Sequence, residues 1–404
     1  MNRRTVLFAL LYASEGAPIG FIWWALPTVL RTADVPIEQI TSLTAVLLLP
    51  WIFKFLWAPA LDLLRGPRWG YRSWIIAMQT IMGLALVPLV WLDPVAEFGW
   101  WRILLLVHAL SAATQDVAID ALAIGCVPPD ERGRLNGAMQ AGMLVGRSAF
   151  GGGVLLLGTW LGREWMIGAL IAWILAALVA ALLLREAEPP ARDASGSFFA
   201  HLTAMMRVRS TWVGLAFALV SASAFEATGQ LAGPFLVDRG VASSTIGVFF
   251  GLFVVSAMLV GGLIGGLLSD RWGRTQSAAL GLVGFVSLIV VLALADLGGG
   301  GSATLIALLT AMYFFVGLFT AASYAIFMDL TDPRIGATQF SAFMAGTNAC
   351  ESWSAWSGGR IVAAQGYPAA FLVMSAVSLL GLPLLRVMWR RRAAAGGGGW
   401  LGRD

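Results

Sequence analysis

Charge is what this sequence has least of. Only 12% of its 404 residues are Asp, Glu, Lys or Arg, and 59% are hydrophobic. A soluble globular domain carries about 25% charged residues. A chain this long with so few charges cannot cover its surface against water, whereas lipid asks for none. An integral membrane protein in a lipid bilayer is expected, and 18 Trp and 22 Phe suit that solvent. Lysine is all but missing: Lys54 is the only one, and the other 25 basic residues are arginine. The phosphate-binding loop G-x-x-x-x-G-K-[ST] needs a lysine after glycine. Lys54 follows Phe53, so an ATP-driven pump within this chain is excluded. The two cysteines, Cys126 and Cys350, suggest neither a disulfide framework nor a metal site. The two histidines are 93 residues apart, and no H-E-x-x-H or G-x-S-x-G occurs. No catalysis, cofactor or metal is therefore expected. A net charge of +4 would suggest nucleic acid for a soluble protein. Here basic loops that orient membrane helices account for it, and no nucleic-acid partner is expected. Arg3 and Arg4 precede a long apolar stretch without a small-residue cleavage site. That start reads as a first membrane span rather than a signal peptide.

What the sequence does have is long apolar runs. A span needs roughly 20 mostly apolar residues. Twelve are expected, near 5–30, 40–62, 73–92, 101–124, 134–160, 164–185, 209–236, 244–268, 276–295, 303–328, 337–362 and 369–389. With both termini cytoplasmic, 19 arginines fall on inner segments and 5 on outer ones. That bias is what the positive-inside rule requires. The polar stretch 186–208 splits the chain into a six-helix bundle at 1–185 and another at 209–392, with a cytoplasmic tail at 393–404. The halves echo each other. Asp62 and Asp270, Pro27 and Pro234, and Gly133 and Gly336 lie 208, 207 and 203 positions apart. Such a repeat predicts two parallel, pseudo-symmetric bundles related by an axis along the membrane normal.

"GLLSDRWGR", Gly266 to Arg274, resembles the signature loop of the major facilitator superfamily, Gly-x-x-x-Asp-Arg-x-Gly-Arg. The first-half copy keeps Asp62, Gly70 and Arg72, with Ala58 where the glycine would stand. The resemblance implies the major facilitator fold: all-α, with twelve transmembrane helices in two bundles that rock around a site near the midplane. It also implies that Asp62, Arg65, Arg72, Asp270, Arg271 and Arg274 form gating loops. There an acidic group meets arginines or a helix N-terminus on the facing bundle. "FKFLWAPALD", "ATQDVAIDALA" and "PPDERGRLNGAMQAGMLVGR" resemble more narrowly the AmpG-type muropeptide permeases, the acetyl-CoA transporters and the rhizobactin- and pyochelin-type siderophore permeases. This similarity covers mainly residues 10–155. Muropeptide permeases usually carry two further spans, so siderophore and muropeptide both stay open as substrates.

Charges inside spans point to function, because each costs about 2.5–3.5 kcal/mol at the bilayer centre. Glu15, Lys54, Asp116, Arg147, Glu226 and Glu351 fall within spans, and Asp120 nearer an inner end. Lys54 is eight residues from Asp62, about 12 Å deep, and Asp116 is about 13 Å deep in the fourth span. The matching depths predict a Lys54–Asp116 pair, read either as a static packing contact or as a site that meets an anionic solute or breaks during gating. In the superfamily the first and fifth helices lie side by side, so the resemblance implies a Glu15–Arg147 pair. Through the repeat, Arg147 maps onto Glu351 and Glu15 falls within about one turn of Glu226. Two carboxylates that approach cannot easily both stay ionised. Glu226 and Glu351 are thus candidates for proton coupling; a backbone partner for Glu226, or a carboxylate lining the cavity, stays open. Asn348, Ser352, Trp353 and Trp356 flank Glu351. His108, in the fourth span, is either a proton relay or a packing residue.

The expectation is a monomeric secondary transporter in a bacterial inner membrane. It would import a medium-sized polar or anionic solute together with protons. A non-transporting membrane sensor and a membrane-embedded enzyme are the alternatives.

Overall fold

The computed structural model describes residues 3–64, 69–126, 132–182, 203, 206–207, 209–331 and 336–394. Among them the apolar runs fold as twelve helical rods. In chain order α1 covers 3–32, α2 Ile37–Leu63, α3 Tyr71–Val90, α4 Phe98–Cys126, α5 132–161 and α6 Arg163–Leu182. The next six are α7 at 209–238, α8 Ser243–Trp272, α9 Arg274–Leu297, α10 Ser302–Leu330, α11 Gly336–Gln365 and α12 at 367–394. The all-α membrane fold is as expected.

Eleven of the rods are long and apolar enough to cross a membrane. The exception is α11, expected as the span 337–362. It is a helix of 30 residues, yet Gln339, Asn348, Glu351 and Arg360 keep it from qualifying by apolarity. Polar side chains of this kind are tolerated at membrane depth when they face other helices. Trp353 of α11 does so, donating through Nε1 to the Leu219 carbonyl of α7 at 2.9 Å.

The chain packs as two compact units. One comprises Met1–Asp193 and Leu236–Leu252, the other Ala194–Phe235 and Phe253–Asp404. The expected bundle boundaries follow the sequence repeat, and the packing departs from them at 236–252, which joins the first unit. There Ser148 Oγ donates to the Gly251 carbonyl, and Trp24 stacks on Phe250 with ring centres 5.4 Å apart. The expected linker 186–208 and tail 393–404 lie almost wholly outside the described residues.

Within the first unit, α1 and α5 touch backbone to backbone. A Cβ on Gly16 or Gly20 would collide with the carbonyls of Met143 or Arg147, and one on Gly142 or Gly146 with those of Ala9 or Ala13. Each pair is spaced i,i+4 and so lies on one helix face, the small-residue pattern that lets membrane helices approach closely. With that face of α1 committed to α5, helical periodicity directs Ser14 and Glu15 away from the seam. α1 also contains Pro18, and its next turn, Phe21–Ala25, is a wide π turn. A second π turn, Ala149–Gly153, follows Arg147 in α5. Each shifts the angular positions of residues beyond it.

In the second unit the close seam joins α8 and α10. There Gly261 and Gly265 meet the carbonyls of Phe314 and Leu318, and Gly317 meets that of Met258. The break between α8 and α9 is a single glycine, Gly273, at φ 102°. That left-handed conformation explains why the signature loop needs glycine there.

Candidate functional site

The first unit holds a buried polar ladder between α1, α2, α3 and α4. At its lowest tier the Tyr12 hydroxyl of α1 donates to Asp120 of α4. One helical turn along α4, Lys54 of α2 forms an ion pair with Asp116, whose side chain is 7% exposed. Glu15 of α1, 2% exposed, interacts electrostatically with Asp116, Asp120 and Lys54. Beside them Trp57 Nε1 donates to Thr114 Oγ1 at 3.1 Å, tying α2 to α4 a second time. In the next tier Gln79 of α3 and Gln115 of α4 both direct Nε2 at Ser14 Oγ, at 2.9 and 3.4 Å. At the top His108 of α4 bonds the Met82 carbonyl of α3 through Nδ1 at 3.1 Å.

Sequence spacing explains the ladder. Tyr12 and Glu15 are separated by i,i+3, and Asp116 and Asp120 by i,i+4, so each pair shares a face. α1 and α4 are antiparallel in chain order, which sets Tyr12 against Asp120 and Glu15 against Asp116. From Asp120 to His108 is 12 residues, about 18 Å of helix. That is more than half of a hydrocarbon core about 30 Å thick.

The energetics are those of buried charge. Breaking a buried ion pair by removing one partner costs about 3–5 kcal/mol, because an uncompensated charge stays behind. Three carboxyl groups here share one ammonium, so the surplus charge of the site depends on the protons it holds. Among the described residues no group of His, Cys, Asp and Glu is arranged to hold a metal ion.

The predicted Lys54–Asp116 pair forms, and Asp120 and Glu15 join it. The implied Glu15–Arg147 pair does not form. Glu15 faces α4, while the Arg147 guanidinium lies 5.5 Å from the centre of the Trp24 ring. Arg147 Nε is buried without a hydrogen-bond partner. The intervening glycine seam brings the two helices too close, on the wrong faces, for the side chains to meet. In the second unit Glu351 accepts a hydrogen bond from Gln230 Nε2 at 2.8 Å. Glu226 and Glu351 both interact electrostatically with Cys350, so the two carboxyls share a neighbourhood. Asn348 is half-buried on α11, three residues before Glu351. Trp356 carries the Arg360 guanidinium over its ring at 4.2 Å.

Two of the gating-loop residues, Arg72 and Arg274, bond to helices of their own units. Arg72 Nε donates to the Ala181 carbonyl at 3.0 Å, and its Nη2 to that of Leu182, capping the end of α6. Arg274 lies against the last turns of α10: it donates to the Ala325 carbonyl at 3.0 Å and pairs with Asp329. A cation at a helix C-terminus satisfies loose carbonyls and the helix dipole together. Asp270 and Arg271 are exposed. Arg65 and the side chain of Asp62 lie outside the described residues.

Charge counting missed the uncharged members of the ladder: Tyr12, Ser14, Gln79 and Gln115. Tyr12 had a signal, one turn from Glu15, and Gln115 sits beside Asp116. Gln79 had only its polarity within an apolar run.

Known proteins resemble this chain along its whole length. The family model described as Major Facilitator Superfamily matches residues 8–259 and again 227–398. The anhydromuropeptide permease of Escherichia coli (strain K12) is 26% identical over 407 aligned residues, which cover 95% of this chain and 79% of the permease. A solved bacterial homologue of the human lysosomal transporter Spinster superimposes with a TM-score of 0.78 at 14% identity, covering 99% of this chain and 98% of that one. A solved D-xylose–proton symporter superimposes with a TM-score of 0.75 at 13% identity, covering 96% and 97%.

Proposed function

The chain belongs to the Major Facilitator Superfamily, and we propose that this multi-pass secondary transporter carries a sugar-peptide of the anhydromuropeptide kind, with protons, across a bacterial inner membrane. Both termini lie on the cytoplasmic side in this reading, and the working unit is a monomer. Proton coupling rests on one observation: three carboxyls, a lysine and a tyrosine are gathered in the interior of the first unit. Like charges at close range in a low-dielectric interior repel strongly. Binding a proton relieves that repulsion, and releasing it restores it. A site whose charge changes with its proton load can bias two conformations differently, which is all that coupling requires.

The substrate class draws on the identity with the Escherichia coli permease and on two cations of the first unit. A muropeptide presents peptide carboxylates and a sugar face. Arg147, with an unpartnered Nε beside Trp24, supplies a fork for a carboxylate next to an aromatic plane. Lys54, 31% exposed at its side chain, supplies a second cation. Within the second unit, Gln230 and Glu351 are hydrogen-bonded, with Glu226 in the same neighbourhood.

Purified protein in proteoliposomes tests both parts. Labelled anhydromuropeptide should accumulate when the outside is more acidic than the inside, and should only equilibrate without a gradient. Accumulation of a ferric siderophore but not of the muropeptide would replace the substrate. Accumulation indifferent to the gradient would remove the protons.

A further inference from the structure

The upper half of the ladder has a chemical peculiarity. Four of its polar atoms are buried without a hydrogen-bond partner: Glu15 Oε2, Gln79 Oε1, Gln115 Oε1 and His108 Nε2. Their side chains are no more than 2% exposed. The Met82 carbonyl can only accept, so His108 Nδ1 must carry the hydrogen and donate it. Nε2 of the neutral ring is then an acceptor. The Ser14 hydroxyl has spent its own hydrogen on the Leu11 carbonyl, at 2.7 Å. The two amide oxygens and Nε2 can only accept, Glu15 Oε2 accepts when its carboxyl is ionised, and the four atoms come from three different helices. An anionic solute is the wrong chemistry for such a set, because it brings more acceptors. Water brings two donors per molecule, and buried polar atoms of this kind are where structural water binds.

We infer that bound water threads α1, α3 and α4 of the first unit, from His108 Nε2 through the amide oxygens of Gln79 and Gln115 to Glu15 Oε2. The file is a proton path. A proton arriving at the His108 end adds to Nε2 and makes an imidazolium. Nε2–H then releases it to the neighbouring water as that water passes one of its own on. The last O–H bond forms at the Glu15 carboxylate, leaving a carboxylic acid and a neutral histidine. No other reactant is consumed. The groups facing Glu15 are Tyr12 on its own helix, Lys54 on α2, and Asp116 and Asp120 on α4. The second of those carboxyls, held by Tyr12, continues the route toward the other end of the ladder. The use of the file rests on the proton-coupling reading above; its existence rests on the acceptors alone.

Radiolytic hydroxyl labelling of the full-length protein in detergent or nanodiscs separates the two. X-rays split bound water in place and oxidise the side chains that touch it. Met82 and His108, both 0% exposed, should be labelled, whereas Met312, 1% exposed in the second unit, should not. Gln79→Leu should reduce the label at Met82 and His108. In transport, His108→Phe should keep solute exchange and slow proton-driven accumulation several-fold; His108→Asn, which can still donate to the Met82 carbonyl, guards against misfolding and should slow it too. Met82 and His108 labelled no more than Met312 would overturn the file, as would full-speed accumulation in both histidine variants. Uptake that requires sodium instead of a pH gradient would also overturn it, making the same oxygens a cation site. A labelled file in a protein that moves no protons would leave the water in place and sink the coupling.

Discussion

Lys54 is the residue on which the ladder turns. It is the sole lysine among 26 basic residues, and it pairs with a carboxyl that is almost wholly buried. An ammonium is a compact point charge with three donors that can change partners, which a planar guanidinium does less readily. Lys54→Met leaves Asp116 unbalanced and should cost about 3–5 kcal/mol of stability. Adding Asp116→Asn removes the stranded charge and should recover most of the thermal stability without recovering transport. Melting and uptake measured on the single and double variants check this. Recovery of transport in the double variant would reduce the pair to a packing contact. Sequence spacing sufficed for this pair because depth is countable along a helix at a fixed rise. Azimuth is not: the Pro18 bend and the π turns at 21–25 and 149–153 re-aim the side chains beyond them. Glu15 and Arg147 precede those turns; what parts them is the glycine seam between α1 and α5, which leaves Glu15 facing α4 and Arg147 on Trp24.

Among elements, the two units differ in which helix pair is locked. In the first, glycines close α1 against α5, and the bonds between α2 and α4 include Lys54 to Asp116 and Trp57 to Thr114. In the second, glycines close α8 against α10, the counterparts of α2 and α4 in chain order, and α7 and α11 meet through Gln230, Glu351 and Trp353. Each unit thus combines close glycine contacts with a polar seam, in different places. Gly146→Ala puts a Cβ into the Ala13 carbonyl and should destabilise by about 1–3 kcal/mol, the usual cost of overpacking. Gly137→Ala on the same helix meets nothing within 4 Å. It should be neutral, or stabilising by up to about 1 kcal/mol through helix propensity. Thermal melts in detergent distinguish the two, and equal effects would refute the seam. Helix number and order were readable from apolar runs, and the glycine content announced close packing. Which helices pack closely was not readable, since a glycine pattern does not name its partner. The polar side chains of α11 keep it below the apolarity of the other eleven helices, although its length and position in the repeat marked it as an expected span.

At the scale of the whole molecule, the repeat, the arginine bias and the signature loop led to the superfamily fold, which the family match and the helix order bear out. Two landmark arginines bond within their own units, Arg72 to the Ala181 carbonyl and Arg274 to that of Ala325, contacts that the motif itself does not reveal. A transporter that couples protons through the ladder should show uptake that rises as the outside is acidified at constant inner pH. Its wild-type form should reverse direction when the gradient is reversed. Glu15→Gln fixes the ladder in the charge state of a proton-loaded carboxyl while keeping its shape. The most direct measurement is therefore solute-driven proton entry into proteoliposomes, followed with a trapped pH dye, together with solute exchange at equal concentrations on both sides. The account predicts that wild type acidifies the lumen when solute is added, and that Glu15→Gln exchanges solute without acidifying it. Acidification by Glu15→Gln at the wild-type rate would contradict it.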